Sequence, residues 1–166
     1  MYDCTANVGS IECSAEFAGG FAGSISLGYD LPVIVDNCRC EINSLNSRSW
    51  AGGFAGSIGS GLGYVANCQA FVNGDITVTE MPPWEEIYLP SSRVGGFVGD
   101  AEFTVIINCF AKFNRLSGTG TYVGGLVGEG SGSMNLNSTN IDIDSSVCIS
   151  QTGSGLLVAV FGSIRP

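Results

Sequence analysis

The sequence predicts an all-β chain, a parallel β-solenoid (β-helix) of about five coils with loop insertions. Two recurring markers and the composition carry that expectation. The first marker is Gly-Gly-apolar-small-Gly, at Gly19-Gly20-Phe21-Ala22-Gly23, Gly52-Gly53-Phe54-Ala55-Gly56, Gly95-Gly96-Phe97-Val98-Gly99 and Gly124-Gly125-Leu126-Val127-Gly128. The second is a strand headed by Asp/Asn-Cys, at Asp3-Cys4-Thr5-Ala6-Asn7-Val8, Asn37-Cys38-Arg39-Cys40-Glu41-Ile42, Asn67-Cys68-Gln69-Ala70-Phe71-Val72 and Asn108-Cys109-Phe110-Ala111-Lys112-Phe113. The chain has 25 glycines and 9 phenylalanines. Its Val/Ile/Phe/Thr runs are short, are broken by Gly, Asn, Asp and Ser, and never keep helical spacing beyond two turns. A unit of about thirty residues cannot bury its own apolar face, so it must stack on its neighbours.

The coils begin near residues 3, 37, 67, 108 and 138 and make one domain, 1–166. Side chains alternate across a strand, so the Cys, Ala/Cys and Val/Ile/Phe positions face inward while Thr5, Arg39, Gln69, Asn7, Glu41 and Lys112 face outward. In the last coil Ser138-Thr139-Asn140-Ile141-Asp142-Ile143 fits the strand, with Thr139, Ile141 and Ile143 inward, and Gly155-Leu156-Leu157-Val158 stands for a degenerate tetrad. Unequal tetrad spacing points to insertions, which stacked strands tolerate. The 74–93 loop, with Trp84 and Tyr88, holds prolines that bar it from the middle of a sheet, and its aromatics need cover. Leu27–Pro32, with Tyr29, is a shorter excursion. Both are candidate contact surfaces.

Gly125-Leu126-Val127-Gly128, preceded by the Asn-Cys-x-Ala-x-hydrophobic strand at Asn108–Phe113, resembles the GLUG-motif repeat of surface-exposed and secreted proteins, bacterial adhesins and protease-associated stalks among them. The resemblance covers most of the chain. It implies a β-solenoid on an extracellular protein and names no active site. Three of the four tetrads carry Phe where the motif has Leu, and the fifth coil lacks two glycines.

Six basic against fifteen acidic residues give a net charge of −9, which repels nucleic acid and anionic membrane surfaces. No run of eighteen apolar residues is present, so no membrane insertion is expected. Met1 leads at once into the first strand, so any leader would lie outside this sequence. Without a histidine there is no Ser-His-Asp or Cys-His arrangement and no usual zinc spacing, so neither metal, cofactor nor catalytic residue is expected. Carboxylates at Glu85, Glu86, Asp142 and Asp144 keep a carbohydrate-active enzyme as a third reading. The glycine tetrads lack the lysine and helix of a phosphate cradle, and close packing explains them better.

Seven cysteines leave at least one without an internal partner. Cys4, Cys38, Cys68 and Cys109 fall in one interior column, where a strand spacing of about 4.8 Å permits Cys4–Cys38 and Cys68–Cys109 disulfides and equally permits stacked thiols. Cys13 lies nine residues after Cys4 and Cys148 nine after Thr139, with Ser47, Thr77 and Gly118 between them in the middle coils. That equivalence suggests a bridge between the first coil of one subunit and the last of the next. Both ends look uncapped, and the closing run Leu156–Ile164 is apolar and uncharged. The expected function is therefore a non-catalytic structural subunit of an extracellular fibre or surface appendage, a head-to-tail homopolymer built by coil stacking. The alternative is a monomeric adhesin or stalk module that binds a glycan or receptor through the 74–93 loop. Asn137 heads the one glycosylation sequon, Asn137-Ser138-Thr139.

Overall fold

The computed structural model describes residues 1–14, 16–79, 92–118 and 122–131 with their side chains, and residues 135–137, 140–143, 150–151 and 161–165 by their backbone. Every regular element among them is a β-strand. The first repeat supplies β1 (Thr5–Glu12), β2 (Phe17–Gly19), β3 (Ala22–Ser26) and β4 (Ile34–Asp36), and the second β5 (Arg39–Ser47), β6 (Trp50–Gly52), β7 (Ala55–Gly59) and β8 (Tyr64–Ala66). The third supplies β9 (Gln69–Val72), β10 (Asp75–Val78), β11 (Arg93–Gly95), β12 (Val98–Glu102) and β13 (Val105–Ile107). The fourth supplies β14 (Phe110–Phe113), β15 (Arg115–Gly118), β16 (Tyr122–Gly124), β17 (Val127–Ser131) and β18 (Asn135–Asn137), and the fifth β19 (Asn140–Ile143), β20 (Ser150–Gln151) and β21 (Phe161–Arg165).

These strands form four sheets. One has eight strands, in the order β19-β14-β9-β5-β10-β15-β20 with β1 on β5; the others run β16-β11-β6-β2, β21-β17-β12-β7-β3 and β18-β13-β8-β4. All pairings are parallel and join each repeat to the next. Parallel neighbours cannot be joined by a tight hairpin. Most connections therefore lead into a different sheet, while β9–β10, β14–β15 and β19–β20 stay within the eight-stranded one, and the next repeat supplies the neighbouring strand.

The expected alternation holds. Cys40, Ile42 and Leu45, then Ala70, Val72 and Ile76, then Ala111, Phe113 and Leu116 are all at most 2% exposed, and they sit opposite one another in register. The tetrad aromatics stack the same way: Phe21 on Phe54 at 4.8 Å and 6°, Phe54 on Phe97 at 4.8 Å and 3°, with the buried Leu126 continuing their backbone ladder. A parallel ladder puts like residues one strand spacing apart, which is the separation at which rings stack.

The tetrad glycines answer to close packing. A Cβ on Gly52 would lie 2.0 Å from the Ala55 carbonyl oxygen and 2.6 Å from Val98 Cα, and one on Gly53 2.3 Å from the Gly96 carbonyl oxygen. None of the four tetrads has a positive φ, so the requirement is room for a neighbouring backbone.

The loop expected over residues 74–93 is shorter. Asp75–Val78 pairs with both β5 and β15, and Arg93 opens β11, because Ile76 and Val78 continue the buried face. Residues 80–91, with Trp84, Glu85, Glu86 and Tyr88, lie outside the described residues.

Candidate assembly face

Each cysteine strand is entered through one left-handed residue: Asp3, Asn37, Asn67 and Asn108 have φ of 53°, 52°, 53° and 50°. Asp and Asn tolerate this region better than other side-chain-bearing residues. Their side chains tie the repeats together, with Asn37 Nδ2 donating to Asp3 Oδ1 at 2.5 Å and Asn108 Nδ2 to Asn67 Oδ1 at 2.7 Å. The cysteine after each corner donates its thiol back across it. Cys4, Cys38, Cys68 and Cys109 reach the carbonyls of Tyr2, Asp36, Ala66 and Ile107 at 3.3, 3.3, 3.0 and 3.4 Å. Neither role is read from the sequence, although the Asp/Asn before Cys4, Cys38, Cys68 and Cys109 is its visible sign.

The four cysteines follow one another along the backbone ladder, Cys38, Cys68 and Cys109 buried and Cys4 partly so. Cys4, Cys38 and Cys68 carbonyls accept from the backbone N–H groups of Arg39, Gln69 and Phe110 in the next repeats, each at 2.9 Å. The six described cysteines are free thiols, so the column takes the stacked form, with no Cys4–Cys38 or Cys68–Cys109 bridge. Burial pushes the Cys40 thiol up to about 12 and raises Cys38; hydrogen bonding to Cys109 and burial raise Cys68.

The thiolate is the nucleophile, so in the native chain Cys38, Cys40 and Cys68 are expected to resist iodoacetamide while the half-buried Cys4 and Cys13 react; Cys109 differs, the hydrogen bond from Cys68 lowering its pKa. Peptide mass spectrometry reads this, and fast labelling of Cys40 would contradict it. Alkali provides a second check. The unfolded chain ionises its cysteines from about pH 8.5, whereas folded Cys40 holds its proton to about 12. Its stabilising contribution is thus complete below about pH 8.5 and is lost as pH rises towards 12, at about 1.4 kcal/mol per unit. Urea midpoints from pH 7 to 11 are expected to fall more steeply for the parent than for Cys40→Ala.

Cys148 lies outside the described residues, and the ladder sets the register of its neighbours. The third repeat has one additional residue at Asn73-Gly74, where a Cβ on Gly74 would lie 2.6 Å from the Asn43 carbonyl oxygen. Val78 rather than Thr77 therefore pairs with Ser47, and Val78 with Gly118. Opposite Gly118 stands Gln151, three residues after Cys148. The same displacement carries through to β21. Phe161 faces Val127, so Gly162 stands in register with Gly128, and Gly155-Leu156-Leu157-Val158 lies outside the described residues. Ladder pairing, not residue count, sets register, and the fifth repeat is longer between β19 and β20.

The first repeat ends all four sheets. β1 pairs β5 alone, and β2, β3 and β4 are terminal; the outer edge of β4 is covered by residues 1–3, through the bridge from Tyr2 to Asp36 and the bonds from Asp36 N–H to the Met1 carbonyl and from Asp3 N–H to the Asp36 carbonyl. Of its inward residues Cys4, Ala6, Ile11, Phe21 and Ala22 are only partly buried and Val8 is 43% exposed, while Ala18, Ile25 and Val35 are buried; the register mates Cys40, Ile42, Leu45, Phe54 and Ala55 are at most 1% exposed. Of the large exposed hydrophobics among the described residues, Met1, Tyr2, Val8, Tyr29, Leu31 and Val33 belong to this repeat, leaving only Leu62 and Phe103 elsewhere. Tyr29 is 73% exposed, and its hydroxyl pairs with that of Ser60. Residues 1–36 carry acidic side chains and no Lys or Arg.

A buried ionic cluster escaped the sequence reading. Arg93 on β11 pairs with Glu129 on β17 and, at 3.3 Å, with Asp100 on β12. Its guanidinium also lies 4.1 Å over the Trp50 ring. Glu129 is 1% exposed. Asp142 faces Lys112 in the ladder, Asp144 lies outside the described residues, and Asn137 sits in β18 opposite Ile107. No group of three or more Cys, Asp or Glu among the described residues is placed to hold a metal ion.

Comparison of the chain with protein-family models, curated proteins and solved structures finds no match.

Proposed function

We propose that the chain is a parallel β-solenoid of five coils and works as a non-catalytic structural subunit, extending head to tail into a fibre on the outside of a cell. The observation that carries this reading is the first repeat: three strands, β1, β2 and β3, with free edges and a partly exposed apolar face whose counterparts in the next repeat are buried. The occupant with the matching surface is another coil of the same kind, carried by a second copy of the chain. Phe21 offers it a ring face, and β1, β2 and β3 offer unpaired backbone groups. A contact that adds a copy without closing a ring grows a filament. The extracellular setting rests on the likeness to GLUG repeats. The buried, proton-holding thiols suit it, because a thiol that neither ionises nor meets solvent resists oxidation.

Negative-stain microscopy and sedimentation velocity of the 166-residue chain test the proposal. Filaments that lengthen with concentration are expected. Ala22→Lys, which sets a charge on the open face at a half-buried position, is expected to abolish them while changing stability by less than about 1 kcal/mol. Single small particles at every concentration, or an Ala22→Lys chain that polymerises like its parent, would sink the fibre. Single particles would favour a monomeric adhesin or stalk module instead, for which the exposed Tyr29 and Leu31 are the supporting observation.

A further inference from the structure

Growth at the open end leaves the flanks of the repeats uncovered, and one flank carries a different surface. Along the flank of the eight-stranded sheet lies a depression of about 400 Å³ lined by Asn7, Val8, Gly9, Glu41, Asn43 and Asn73. A smaller one of about 110 Å³ is lined in part by Phe71, Asn73, Lys112 and Asn114. Both are lined by Asn73, so the two depressions adjoin there, and together they make a shallow trough spanning residues of the first four repeats.

The trough is periodic. Asn43, Asn73 and Asn114 each follow the inward residue of their strand, Ile42, Val72 and Phe113, so every repeat from the second to the fourth presents one amide. Asn43 and Asn73 are exposed. Asn73 Nδ2 donates to Glu41 Oε1 at 3.4 Å and Asn114 Nδ2 to Asp75 Oδ1 at 3.1 Å, which holds the amides in fixed orientations. Beside them the half-buried Phe71 ring packs 5.6 Å from Phe110 and carries Arg39 at 4.1 Å.

Amides and a carboxylate that both orient hydroxyls, next to an aromatic ring, are the chemistry that recognises a sugar. Successive strands stand about 4.8 Å apart, a step of the same order as one pyranose unit. Glu41 is offset by Lys112 and Arg39, so the trough favours neither sign of charge. An extended peptide gains its affinity at a sheet edge, and here the backbone groups of β5, β9 and β14 are already engaged on both sides.

We propose that this trough binds a neutral, linear oligosaccharide lying along the repeat axis, with one sugar unit per repeat. Binding does not depend on assembly, and a filament would multiply it, since many equivalent troughs would then engage one polymer.

Isothermal titration of the parent chain and of Ala22→Lys with cellohexaose, mannohexaose and chitohexaose, and with their di- and tetrasaccharides, tests this. Hexagalacturonate serves as the anionic comparator. At least one neutral series is expected to bind both proteins, more tightly from two units to four. The double variant Asn43→Ala/Asn73→Ala is expected to weaken it about tenfold or more with an unchanged melting curve. Phe71→Ala provides a second variant on the same trough and is expected to weaken binding likewise. The proposal is overturned if no neutral hexasaccharide binds at millimolar concentration, if the asparagine variant binds like its parent, or if hexagalacturonate binds more tightly. Because Ala22→Lys is included, failure of the filament and failure of the trough read out separately.

Discussion

Replacing Gly96 by alanine is expected to destabilise the chain by more than about 4 kcal/mol, enough to leave it unfolded or in inclusion bodies. A Cβ there would lie 2.2 Å from the Gly125 carbonyl oxygen and 2.2 Å from Phe113 Cε1. The carbonyl belongs to the ladder of the next repeat, where the Gly96 N–H donates to it at 3.1 Å, and Phe113 is 1% exposed. Neither neighbour can retreat without opening a ladder or the core. Gly9→Ala is the matched control: a Cβ there meets nothing within 4 Å, so its effect should stay within about 0.5 kcal/mol. Urea titration followed by circular dichroism reads both. A Gly96→Ala chain within 1 kcal/mol of its parent would show that the tetrad is not a packing device.

Arg93→Met is expected to cost about 3–5 kcal/mol, the usual consequence of removing one partner from a buried ion cluster. The change deprives Glu129, at 1% exposure, and the nearby Asp100 of their guanidinium and takes a stacked cation off Trp50. Adding Glu129→Gln should recover more than half of the loss, since the uncompensated charge is the larger part of it. A single variant as stable as its parent, or a double variant no better than the single, would mean that the cluster is solvated and contributes little.

The two markers made the parallel strands and their inward faces legible, because the period-two alternation of Cys40 and Ile42, Ala70 and Val72, and Ala111 and Phe113 is a property of neighbouring residues in one strand. The cysteine column and the packing role of the tetrad glycines followed from it. The register of the irregular repeats did not. Counting nine residues from Cys68 gives Thr77 where the ladder has Val78, since a single accommodated residue such as Gly74 shifts the rest of its own repeat. The ion cluster was equally hidden. Arg93 and Glu129 lie 36 residues apart in the chain, and nothing local distinguishes them from surface charges.

What the sequence determined by itself is therefore the repeating unit: which residues make strands, which face of each is apolar, and where only glycine leaves room for a passing backbone. Those are short-range consequences of side-chain alternation and steric bulk. The tertiary structure alone decided which residues of different repeats meet, which thiols stay free, and that the first repeat leaves its inward face partly exposed. Those outcomes depend on how ladders of unequal length come into register, and no window of sequence contains that information.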